Sequence, residues 1–150
     1  MKSKDLKSTI NDRLSELART NLELKAKCEE ANKKAETILD DALLEFLIVL
    51  DTFERAEKYI ASQGLEQNEE FSKGYKRLLN AKKKAQFVLE KYNVSQIVFE
   101  NNMLVPEWCI VADTEPDAAK PNDEIISIEK NGYLRDGRLL RSAEVIIVKN

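Results

Sequence analysis

From Ile10 to Ala42 a set of residues recurs alternately four and three positions apart without a break: Ile10, Leu14, Leu17, Asn21, Leu24, Cys28, Ala31, Ala35, Ile38 and Ala42. Nine of the ten are apolar. A 4-3 repeat places its members on one narrow stripe of an α-helix, and such a stripe is buried only against another helix. No other segment is long enough to cover it, so the seam is expected to pair with its own copy. The spacing puts Leu14, Asn21, Cys28, Ala35 and Ala42 at a positions and Ile10, Leu17, Leu24, Ala31 and Ile38 at d positions. An a-position Asn bonds its own copy across a parallel dimer and is left unpaired in other arrangements. Asn21 therefore favours two strands at some cost in stability, unless it is a solvated residue in an imperfect seam.

After Ala42 the pattern changes. "ALLEFLIVLDTF" is apolar on most sides of the helix, which calls for neighbours on several sides. A second helix is expected to supply them, from a cap at Asn68 to a left-handed C-cap at Asn93. It carries Phe71, Tyr75, Leu78, Ala85, Leu89 and Tyr92 on one face, with Lys82 the polar exception. Two protomers would then form a four-helix bundle. The expected dimer contacts are Leu14, Leu17, Asn21, Leu24, Cys28 and Ile38 in the stalk and Leu43, Leu47, Leu50 and Phe53 in the bundle. A first helix from about Asp5 to Ala61, at 1.5 Å per residue, would be roughly 85 Å long.

Beyond Val94 the runs "QIVF", "CIVAD", "EIISIE" and "AEVIIV" read as short strands, separated by the turn chemistry of "EPDAAKPND". "NGYLRDGRLLRSAEVIIV", residues 131 to 148, contains Asn131-Gly132 and Asp136-Gly137, and both pairs are read as turns using positive φ. The segment displays Arg135, Arg138 and Arg141. The expected fold is α+β: a coiled-coil stalk (residues 1–42), a dimerising helical bundle (43–95) and a small β-domain (96–150).

The chain has no histidine, which removes the commonest general base and the commonest metal ligand. It also lacks a glycine-rich phosphate loop, a nucleophile elbow and zinc-ligand spacing. Asp40 with Asp41, and Glu69 with Glu70, belong to helical charge patterns that read as solvated faces. Cys28 and Cys109 are far apart and read as reduced thiols, and Trp108 as core of the β-structure. No enzyme, metal or cofactor is expected. A formal charge of -3 provides no general field for nucleic acid, although "NAKKKAQ" concentrates Lys82, Lys83 and Lys84. No apolar run nears the ~20 residues that span a bilayer, and the N-terminus has no signal-peptide stretch, so a cytoplasmic protein is expected.

These features resemble the GrpE family, the nucleotide exchange factors of DnaK-type heat-shock chaperones. "NGYLRDGRLLRSAEVIIV" is similar to the family's closing β-motif, with Gly132, Tyr133, Gly137, Arg138 and Arg141 on the pattern. "EFLIVLDTFERA" is similar to its long-helix segment, with Asp51, Arg55 and Ala56 in place. The resemblance covers roughly residues 20 to 150. Cys109 stands where the family usually has His, Ile48 where a Pro is common, and Asn21 is followed only by Lys25 and Lys27. The family's acidic N-terminal tail has no counterpart here.

The resemblance implies a homodimer that binds the nucleotide-binding domain of one chaperone and promotes ADP release without touching nucleotide, nucleic acid or membrane. It also implies chaperone contacts at Arg138, Arg141, Leu104, Lys25 and Lys33. Arg141 has a structural alternative, pairing with Asp136 or Glu144, and Leu104 could be core. A coiled-coil scaffold or adaptor with a protein-binding β-domain, or a nucleic-acid-binding dimer using the lysine cluster, are the rival readings.

Overall fold

A computed structural model describes residues 2–64 and 69–150. Helix α1 spans Lys2–Ser62 and helix α2 Glu69–Lys91. Six strands follow: β1 Val94–Gln96, β2 Cys109–Glu115, β3 Ile125–Lys130, β4 Tyr133–Arg135, β5 Arg138–Arg141 and β6 Ala143–Val148. This is an α+β chain with its β-structure at the C-terminal end. It divides into two compact units, Met1–Asp41 and Ala42–Asn150, with the boundary inside α1.

The first unit is helix alone among the described residues. Its seam side chains Ile10, Leu14, Leu17, Leu24 and Ile38 are between 50 % and 68 % exposed, and Asn21 and Cys28 are exposed as well. An apolar stripe this open within one chain is the condition under which a second helix gains by covering it. Exposed pairs at four-residue spacing, Arg19–Glu23 at 3.2 Å and Glu30–Lys34 at 2.7 Å, add a few tenths of a kcal/mol of helix support each, by the usual ~0.2–0.5 kcal/mol per pair.

In the second unit Leu43, Leu47 and Leu50 are 5 %, 0 % and 0 % exposed, and Phe53 is half-buried. The three leucines are thus already covered within their own chain. The large apolar side chains that α1 leaves open here are Ile48, Val49 and Tyr59. Ile48 keeps the N–H that a Pro would lack, and α1 runs through it unbroken to Ser62. Gly64, at φ +63°, follows the helix end, and its N–H bonds the Ala61 carbonyl. The cap expected at Asn68 lies outside the described residues.

Along α2, Phe71, Tyr75, Leu78, Lys82 and Ala85 are half-buried and Leu89 is buried, so the inward face is the one the spacing marked, while Tyr92, just past the helix, is exposed. Lys82, the polar residue in that face, bonds Glu57 of α1. Asn93 closes the helix at φ 57°.

The β-structure forms two three-stranded sheets. The order β1-β4-β5 is antiparallel throughout, and in β2-β6-β3 the central β6 runs parallel to β2 and antiparallel to β3. Ala143, Val145 and Ile147, alternate residues of β6, pack with Ile97, Phe99 and Ile125, and Trp108, Cys109 and Leu104 lie partly buried against them. "QIVF" is a strand only at its first residue. Ile97 and Phe99 enter the core from irregular backbone, and Ile97 N–H bonds the Gly132 carbonyl at 2.9 Å. The Asn131-Gly132 pair is likewise not a positive-φ turn. A Cβ on Gly132 would lie 2.6 Å from the Ala143 nitrogen and 2.7 Å from Ile97 Cδ1, so glycine is required there by close approach. Asp136-Gly137, at φ 50° and 75°, is the expected two-residue hairpin turn between β4 and β5.

Candidate functional site

The β4–β5 hairpin carries the three arginines, and each has a different environment. Arg138 starts β5 beside the turn and is exposed. Its cross-strand neighbour Arg135 is buried, with Nε 3.7 Å from Asp136 Oδ2. Arg141 ends β5 and faces helix α1. Its Nη1 and Nη2 donate to the two carboxylate oxygens of Asp51 at 2.8 and 2.7 Å, and its Nε and Nη2 donate to the Asn131 carbonyl at 3.2 and 2.8 Å. The pair is largely shielded from water, with side chains 12 % and 15 % exposed. The carboxylate that pairs with Arg141 is therefore Asp51, not Asp136 or Glu144. Two parallel bonds from a planar guanidinium to one carboxylate fix orientation as well as distance.

Tyr133 lies directly across the strand pair from Arg141, and the guanidinium carbon sits 5.3 Å from the centre of its ring. The Tyr133 hydroxyl makes a long 3.4 Å contact with Glu54. Burial, and after it the Glu54 carboxylate, pushes the Tyr133 phenol well above its ordinary range, so it stays neutral. Further along α1 the Lys58 ammonium donates to the Ile128 carbonyl at 2.9 Å. Asp51, Glu54 and Lys58 are spaced three and four apart and so share one face of α1. That spacing was visible in the sequence; the β-residues it meets were not.

The turn end of the hairpin is held by Asn93, two residues past the end of α2. Asn93 Nδ2 donates to Asp136 Oδ1 at 2.8 Å, and the Asp136 N–H donates to the Asn93 carbonyl at 3.1 Å. The helix C-cap and the hairpin turn, both left-handed residues, thus satisfy each other's polar groups.

Among the remaining expected contacts, Leu104 is half-buried against the β-core, and its N–H bonds the Asp123 carbonyl at 3.0 Å. Lys25 and Lys33 are exposed on α1 in the first unit. Cys109, at the position where His is usual, is half-buried against the core, and burial raises its thiol pKa. That makes it a poor nucleophile. A groove of about 390 Å³ between α1 and strands β3 and β6 is lined by acids and bases in mixture, including Glu54, Arg55, Glu129 and Lys130. Such a lining has no net preference for an anion or a cation. Among the described residues no group of Cys, Asp and Glu is placed to hold a metal ion, and no helix is long and apolar enough to cross a membrane.

No curated protein matches the chain. The family model that does match it is GrpE, over residues 1–149, beginning well before the segment in which the sequence motifs are found. With two helices leading into a C-terminal β-structure whose hairpin presents arginine, and with that match spanning nearly every residue, the chain belongs to the GrpE family.

Proposed function

We propose that this protein is a nucleotide exchange factor that binds the nucleotide-binding domain of a DnaK-type chaperone and promotes release of ADP. The observation that carries this reading beyond family membership is the hairpin. Arg138 stands exposed at the start of a strand whose far end, Arg141, is bonded to α1 and whose preceding turn is bonded to Asn93, just past the end of α2. A contact surface held this way loses little conformational freedom on docking, which leaves more of the binding energy for the complex.

In this reading the exchange factor makes and breaks no covalent bond. It binds the chaperone with an open nucleotide cleft more tightly than the one with a closed cleft, and that difference in affinity shifts the cleft toward opening. Arg138 offers a planar donor set to chaperone carboxylates or carbonyls, Leu104 an apolar contact from its open edge, and Lys25 and Lys33 charge along α1. The open seam of Leu14, Leu17, Asn21, Leu24, Cys28 and Ile38 supports a homodimer. The protein works where its chaperone works, in the cytoplasm. The nucleic-acid alternative loses ground because Lys82 is engaged with Glu57, leaving Lys83 and Lys84 as the open part of that cluster.

Stopped-flow release of labelled ADP from a DnaK-type chaperone tests the reading. The protein is expected to raise the release rate while leaving single-turnover ATP cleavage unchanged. Unaltered release, or ATPase activity intrinsic to the purified protein, would overturn it.

A further inference from the structure

Arg141 has five N–H donors, and four of them are used inside the chain, two on Asp51 and two on the Asn131 carbonyl. Its face is covered by the Tyr133 ring. Little of this guanidinium is left for a partner. The same bonds have a different use: they tie the last residue of β5 to α1, while the turn before β5 is tied to Asn93, the left-handed residue just past α2. Arg138, the first residue of β5, lies between those two ties. The backbone on either side of Arg138 is consequently held from outside the hairpin, and not by the four-residue strand alone, which is too short to be rigid by itself.

We propose that Asp51 and Arg141 form a clamp that positions the β4–β5 hairpin on α1, making both of them positioning residues for Arg138 and removing Arg141 from the chaperone contact. This rests on the exchange-factor reading, in which Arg138 is the contact. Asp51 occurs in the helix motif and Arg141 in the strand motif, 90 residues apart. The clamp accounts for why the two motifs occur together in one chain.

The test combines amide hydrogen exchange with binding, using the full chain and a DnaK-type chaperone. In Asp51→Asn the amides of Tyr133 to Arg141 are expected to exchange about tenfold faster while those of α2 keep their rates, a local opening and not a global one. Arg138→Ala is expected to weaken chaperone binding about tenfold in the wild-type background but less than about twofold in the Asp51→Asn background, because a misdirected Arg138 has little left to lose. Equal losses in both backgrounds, or unchanged hairpin exchange in Asp51→Asn, would overturn the clamp. So would wild-type binding by Asp51→Asn alongside a loss in Arg141→Lys, which would return Arg141 to the contact surface. If Asp51→Asn does not fold, Asp51→Glu, which keeps the charge but moves the carboxylate by one methylene, serves in its place with the same criteria. A wild-type chain that fails to accelerate ADP release would refute the exchange-factor reading, and hydrogen exchange would still decide the clamp.

Discussion

Two glycines of the closing motif are required for different physical reasons. Gly137 sits at φ 75° with open space around the position of a Cβ, so its constraint is conformational. Gly132 has no left-handed backbone; its constraint is the Ala143 nitrogen 2.6 Å from where a Cβ would be. A left-handed residue with a side chain costs about 1–2 kcal/mol, and overpacking a tight site costs roughly 1–3 kcal/mol. Because the atoms crowding Gly132 include main chain that cannot rotate away, Gly132→Ala is expected to be the more damaging substitution. Urea denaturation of both variants checks the order, and a larger loss in Gly137→Ala would contradict it. Lys82 is likewise a charge in an apolar helix face, accommodated there because Glu57 lies opposite it.

At the level of elements, α1 within the second unit presents two stripes with different jobs. Leu43, Leu47, Leu50 and Glu57 follow one 4-3-7 line, of which the leucines are buried and Glu57 reaches α2. Asp51, Glu54 and Lys58 follow another and reach the β-structure. The Glu57–Lys82 bond is only partly shielded, with side chains 24 % and 18 % exposed. Removing one partner of such a pair leaves the other desolvated, whereas replacing both by apolar groups does not. Lys82→Met is therefore expected to lower the melting temperature, and Glu57→Leu with Lys82→Met to restore or exceed the wild-type value. Should the double variant melt lower than the single one, the pair contributes specific stability and that account fails.

For the molecule as a whole, assembly is expected to rest on the first unit. Its seam is exposed in a single chain, and Cys28, a free and exposed thiol, lies at an a position. In a parallel, in-register coiled coil each a residue faces its own copy. Mild oxidation is then expected to link Cys28 to Cys28 in a dimer that survives Cys109→Ser and disappears in Cys28→Ser. A dimer by light scattering that never crosslinks would exclude the parallel seam and move dimerisation to other surfaces, among them Ile48, Val49, Phe87 and Val88, which are open in the second unit.

What the sequence determined by itself is local or periodic. The two helices, the left-handed cap at Asn93, the Asp136-Gly137 turn and the strands of "CIVAD", "EIISIE" and "AEVIIV" all follow from spacing and turn chemistry among near neighbours. Family membership was legible in two motifs for the same reason. Which partners those motifs meet depends on how the chain packs on itself. Arg141 could be read as a contact residue or as a partner of nearby carboxylates, and its bond goes to Asp51, 90 residues earlier. Leu43, Leu47 and Leu50 could be read as apolar on any side of the helix, and their burial comes from packing within their own chain. Gly132 looked like a turn and is a point of close approach. Each of these depends on a contact between segments distant in sequence, and periodicity along one element carries no information about what is brought against it.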